Sequence, residues 1–133
     1  GEVIKDGDFK KGNFVQPTLF DNVDPKSLIA TEEIFGPVLG LIDAEDYDQS
    51  IKIANDTSYG LSAGIFTSNL NLAMEFANNI NAGIVKVNGE TAGVEPQVPF
   101  GGMKESSSGA REQGKAAVDF FTQTKTVYVE RSA

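Results

Sequence analysis

At 133 residues, with 40% hydrophobic and 23% charged residues, the chain has the balance of one folded domain with a single core, not that of a disordered segment. A net charge of −8, a pI near 4.4 and the lack of any basic stripe argue against nucleic acid as a partner. With neither cysteine nor histidine, the chain can build no disulfide, no thiolate or imidazole metal site, no Cys nucleophile and no Ser-His triad, so no metal site is assigned to it and catalysis by these residues alone would have to rely on Ser, Thr, Lys, Tyr or carboxylates.

No apolar run approaches the ~20 residues that span a bilayer, and Gly1 to Lys11 hold no signal-peptide core, so the expectation is no membrane partner and a cytoplasmic location. A start at Gly1 rather than Met suggests a processed or truncated chain.

In chain order, residues 13–20 carry Phe14, Val15, Leu19 and Phe20 around Pro17, which predicts a strand at a sheet edge. Val38, Leu39, Leu41 and Ile42 form a short apolar run of buried-strand type over 37–42. Tyr47, Ile51 and Ala54 fall at helical spacing, with Asp43 and Asp46 as candidate caps. Residues 61–67 read as another strand. Leu72, Phe76 and Ile80 then recur on one helical face behind Ser68 or Asn69, with Gly83 expected as a positive-φ residue closing that helix. Ile84, Val85 and Val87 predict the next strand. Strand, helix, strand, helix, strand with short connections predicts an α/β fold with a Rossmann-like parallel sheet and right-handed crossover helices.

Residues 88–114 break this rhythm with glycines, prolines and a serine run, and loops of that length in compact domains are usually functional or packed on something else. A last helix over 115–122 carries Val118 and Phe121. Thr124–Glu130, dense in Thr, Val and Tyr, predicts a terminal edge strand that pairs with another chain. The expected organisation is one body over 1–122 and an oligomerisation tail over 123–133.

Two blocks carry chemistry. In Thr31-Glu32-Glu33-Ile34-Phe35-Gly36-Pro37-Val38, the Gly-Pro pair forces a tight reversal, and an extended approach to it sets Glu33 and Phe35 on one side of the chain. A carboxylate so presented can accept two hydrogen bonds from a vicinal diol such as a ribose, and the aromatic can pack a flat heterocycle. For an isolated block of this kind, a solvated acid and a core Phe flanking a turn is the commoner arrangement. The second block, Pro99-Phe100-Gly101-Gly102-Met103-Lys104-Glu105-Ser106-Ser107-Ser108-Gly109-Ala110-Arg111-Glu112, lacks phosphate-loop spacing. Its glycines are better explained by close passage of backbone against backbone, with Lys104 and Arg111 as tethers.

These two blocks, separated by Ala54-Asn55-Asp56-Thr57, Tyr59-Gly60-Leu61-Ser62-Ala63-Gly64-Ile65-Phe66 and a strand ending in Val87-Asn88, resemble the aldehyde dehydrogenase superfamily in its C-terminal part. The resemblance runs from Phe14 to the Thr124-Lys125-Thr126-Val127 tail, and the order of the blocks is what makes it specific. It implies the catalytic-domain fold of that family and NAD or NADP as cofactor, with Glu33 on the nicotinamide-ribose hydroxyls and Phe35 against the nicotinamide. It places Asn88 and Phe100 along the substrate entrance and pairs the terminal strand with a second subunit in a homo-oligomer. The family's catalytic Cys, general-base Glu and cofactor domain precede the matched region, so the chain alone is expected to be inactive. Thr91-Ala92-Gly93-Val94 and Arg111-Glu112-Gln113-Gly114 are similar to the ketoglutarate-semialdehyde branch, which implies a small aldehyde bearing a carboxylate as substrate. The alternative is a non-catalytic α/β assembly or binding module.

Overall fold

The structure, a computed structural model, describes residues 1–132, and the chain divides into two compact units, Gly1–Thr57 and Ser58 onward. The fold is α/β with parallel strands, arranged as two separate two-stranded ladders. One ladder lies in each unit.

The first unit opens with an antiparallel bridge between Val3 and Val15, flanked by Ile4 N–H donating to Phe14 O at 2.9 Å and Gln16 N–H to Glu2 O at 3.0 Å. Between these arms a 3-10 turn spans Gly7–Lys11, and the Phe9 and Phe14 rings meet edge to face at 5.1 Å, a favourable quadrupole geometry. Pro17 precedes β1 (Thr18–Phe20), outside the strand itself, where its missing N–H removes nothing from the ladder. β1 pairs in parallel with β2 (Val38–Gly40), Thr18 opposite Val38 and Leu19 opposite Leu39. The crossover turns where the Asp24 carboxylate accepts from Lys26 N–H at 2.9 Å, then forms one turn of helix, α1 (Leu28–Thr31).

Val23, packed on Gly40, is buried, but Leu19 and Leu39 are 59% and 60% exposed. The buried-strand character expected for 37–42 is not realised within the first unit, where Leu39 and Leu41 are exposed. α2 (Tyr47–Asn55) follows the predicted spacing, and of the two candidate caps it is Asp46 that accepts from Gln49 N–H, at 2.8 Å.

The second unit is a β-α-β crossover: β3 (Ser62–Ile65), α3 (Leu70–Asn79) and β4 (Ile84–Val87), with β3 and β4 parallel and Ser62 opposite Ile84. Asn69 caps α3 by accepting from Asn71 and Leu72 N–H at 3.0 and 3.3 Å. The helix buries Ala73 and Phe76, which join Ile80 and Ala82 in the core, and burying Phe76 alone stabilises by about 2 kcal/mol.

Gly83 does not terminate this helix with a positive φ. α3 already ends at Asn79, with Ile80 extended at φ −81, and Gly83 is not among the positive-φ residues. Its lack of a side chain answers a close approach: a Cβ there would lie 2.0 Å from Gly101 O. After the long loop, α4 spans Ala116–Phe121. Residues 124–132 form no strand, because an extended segment needs a ladder partner and none of the described residues supplies one. Val127, Tyr128 and Val129 stand 71%, 88% and 91% exposed.

Large apolar residues are left uncovered, Leu28, Phe35, Phe66, Leu70 and Phe121 among them.

Candidate functional site

Glu33 and Phe35 lie in the segment between α1 and β2. Gly36 N–H donates to Ile34 O and Val38 N–H to Gly36 O, both at 2.8 Å, which makes two successive three-residue turns centred on Phe35 and Pro37. Neither centre has a positive φ, so both turns are of the common inverse type found at strand starts. Phe35 therefore stands at the corner of a turn, 93% exposed, and is not set in an extended strand beside Glu33. It is not a core residue. No hydrogen bond among the described residues engages the exposed Glu33 carboxylate. An unengaged acceptor and an aromatic face two residues apart can accept from a diol's hydroxyls and pack a flat heterocycle joined to it. Beside them, Pro17, Leu19, Gly36, Pro37, Val38 and Leu39 line an open apolar groove of about 420 Å³.

In the second unit Asn88 and Phe100 stand at opposite ends of the β3–β4 ladder. Asn88, with φ +55, closes the C-terminal end: its Oδ1 accepts from Thr67 N–H at 2.8 Å and its Nδ2 donates to Thr67 O at 2.9 Å. Both polar atoms of the amide are thus committed to the scaffold. Phe100 adjoins Gly101, which lies against Gly83 at the other end, and the five residues from Gly83 to Asn88 put about 16 Å between those ends at ~3.3 Å per residue. Phe100 is bridged to Glu112, its N–H donating to Glu112 O at 2.6 Å and Glu112 N–H donating to Phe100 O at 3.0 Å. Its ring lines a cavity of about 300 Å³ with Leu61, Ser106, Ser107, Ser108 and Phe120.

The glycine-rich block is a backbone-on-backbone closure. Gly60 O accepts from Gly83 N–H at 3.0 Å and from Met103 N–H at 2.8 Å. A Cβ on Gly102 would meet Leu61 Cα at 3.0 Å, and Gly60, Gly101 and Gly102 are all buried. Two serines complete it: Ser106 Oγ accepts from Gly60 N–H at 2.9 Å and Ser107 Oγ from Gly102 N–H at 2.7 Å. Arg111 lies against Gly101, and its guanidinium donates to Gly109 O at 3.5 Å. Sequence reasoning had singled out the glycines but not the roles of Thr67, Ser106, Ser107 or Phe120. A serine run inside a glycine-rich loop, able to supply acceptors for buried N–H groups, was the one available signal.

Among the described residues no cluster of three or more acidic residues is placed to hold a metal ion, and no helix is long and apolar enough to cross a membrane.

The strands are parallel within an α/β fold, and the second unit is closed by a glycine-rich loop. The chain belongs to the aldehyde dehydrogenase family, whose sequence model matches residues 1–127. It is 53% identical over 130 residues to an alpha-ketoglutaric semialdehyde dehydrogenase of Bacillus subtilis, covering 98% of this chain and 27% of that protein. To an alpha-ketoglutarate semialdehyde dehydrogenase of Haloferax volcanii it is 52% identical over 118 residues, covering 88% of this chain and 24% of the other. The crystal structure of a Mycobacterium tuberculosis aldehyde dehydrogenase complexed with NAD+ superposes with a TM-score of 0.84 at 39% identity, over 92% of this chain and 25% of its own. A P. syringae indole-3-acetaldehyde dehydrogenase in complex with NAD+ gives 0.88 at 40% identity, over 98% and 26%. The chain thus spans about a quarter of the length of these relatives.

Proposed function

We propose that the chain is the C-terminal part of the catalytic domain (1–122) and the oligomerisation tail (123–133) of a cytoplasmic, homo-oligomeric NAD(P)-dependent aldehyde dehydrogenase. The parent protein would oxidise a small carboxylate-bearing semialdehyde to its acid. The observation that carries this reading is the 53% identity over 130 residues to a ketoglutaric semialdehyde dehydrogenase. The exposed and unengaged Glu33–Phe35 pair supports it from the geometry.

Glu33 accepts two hydrogen bonds from the ribose hydroxyls, each worth about 1.5–3 kcal/mol because the acceptor is charged. Phe35 would pack its ring against the nicotinamide side, and together they would hold the dinucleotide in place for the reaction. The bound dinucleotide supplies the hydride acceptor. Such positioning contributes several kcal/mol to lowering the barrier. In the second unit, Phe100 and the loop after Asn88 shape the wall of the substrate entrance. The nucleophile that the oxidation needs is absent, since the chain has no cysteine, so the chain alone is inactive.

The test is an assay of the full-length protein that carries this chain, offered NAD or NADP with ketoglutarate semialdehyde and with an uncharged aldehyde of equal length. Reduced cofactor should form fastest with the semialdehyde, and none should form with the 133-residue chain alone. Failure of every aldehyde to reduce either cofactor would refute the proposal.

A further inference from the structure

Asn88 is followed by Gly89, the only Asn-Gly pair among the chain's asparagines. The pair is chemically labile, because a glycine offers no side chain to hinder attack of its own amide nitrogen on the preceding side chain. In this structure the reacting amide is held. Asn88 is exposed and in the left-handed region at φ +55, yet its Oδ1 and Nδ2 are both tied to the Thr67 backbone, at 2.8 and 2.9 Å. Succinimide formation needs the side-chain carbonyl carbon to swing onto the Gly89 nitrogen, and that motion breaks both hydrogen bonds.

We propose that Asn88–Gly89 is a spontaneous modification site, a deamidation locus whose rate is set by opening of the clamp on Thr67. When the clamp opens and a base in solvent removes the Gly89 amide proton, that nitrogen attacks Asn88 Cγ. The new C–N bond forms as the Cγ–Nδ2 bond breaks, and ammonia leaves. Water then adds to either carbonyl of the five-membered ring and opens it to aspartate or isoaspartate. No oxidant or reductant is involved. The product cannot restore the clamp: a carboxylate still accepts from Thr67 N–H, but it has lost the Nδ2 donor and sets an anionic oxygen against Thr67 O. The isoaspartate form also adds a backbone atom at the end of β4. Modification therefore leaves the strand end less well closed, and it adds negative charge to a chain already at −8.

Gly89 provides the control. A Cβ there meets nothing within 4 Å and its φ lies outside the left-handed region, so Gly89→Ala leaves the fold unchanged while hindering the attack.

The experiment incubates the full-length protein at mildly alkaline pH, native and in urea, and maps deamidated peptides by mass spectrometry over time. In urea, Asn88 should be the fastest-converting of the chain's asparagines, and Gly89→Ala should slow it. In the native protein conversion at Asn88 should be roughly tenfold or more slower, as expected when two hydrogen bonds must open together. Equal native and urea rates at Asn88 would overturn the gating. Faster conversion at another asparagine in urea, or no effect of Gly89→Ala there, would overturn the site.

Discussion

A Cβ on Gly83 would lie 2.0 Å from the carbonyl oxygen of Gly101, so the start of β4 and the glycine-rich loop touch backbone to backbone. Because the obstacle is main chain, no rotamer change relieves it. Gly83→Ala is expected to destabilise by at least about 1–3 kcal/mol, the usual range for overpacking. Chemical denaturation should show a lower midpoint for Gly83→Ala, with Gly89→Ala, where the added atom meets open space, within about 0.5 kcal/mol of the parent.

The serine acceptors make a second prediction. Removing Ser106 Oγ or Ser107 Oγ leaves the N–H of buried Gly60 or Gly102 without its partner, a loss of about 1–3 kcal/mol each. Limited proteolysis of Ser106→Ala and Ser107→Ala should cut faster within 99–112, while Ser108→Ala, exposed and outside these bonds, should match the parent.

The tail offers a third. Val127 and Val129 are 71% and 91% exposed on a segment with no ladder partner among the described residues. If a second subunit supplies the partner, Val127→Lys with Val129→Lys should lower the mass of the full-length protein in light scattering, since charges on a pairing edge oppose association. An unchanged mass would remove the tail from the interface.

Much of the scaffold was legible because it is local. Asp46 and Asn69, each one of two candidates the spacing offered, cap their helices, and the strand-helix-strand order of β3, α3 and β4 follows from periodicity. What escaped depends on partners distant in sequence. Thr67 meets Asn88 across 21 residues and Ser106 meets Gly60 across 46, so neither pairing leaves a local pattern. Gly83 was marked as special but for the wrong cause, since a sequence does not distinguish a glycine needed for φ from one needed for space. Four-residue α1 was missed because it is too short to show a period, and its only cue was the Asp24-Pro25 turn before Ser27. By its apolar character alone Phe35 reads as core, and it was the resemblance that set it against the nicotinamide; the paired turns around Gly36 and Pro37 hold it out in solvent. The Glu33–Phe35 pair itself was legible, but only through the order of motifs along the chain.

The most direct test of the account is single-turnover formation of reduced cofactor by full-length Glu33→Gln. The substitution keeps the shape and one acceptor oxygen but removes the charge that holds the ribose diol. The account predicts slower hydride transfer, by roughly tenfold or more for the loss of ~1.4 kcal/mol or more of positioning, with a smaller effect on dinucleotide affinity. A transfer rate equal to that of the parent protein would contradict it and take Glu33 out of the site.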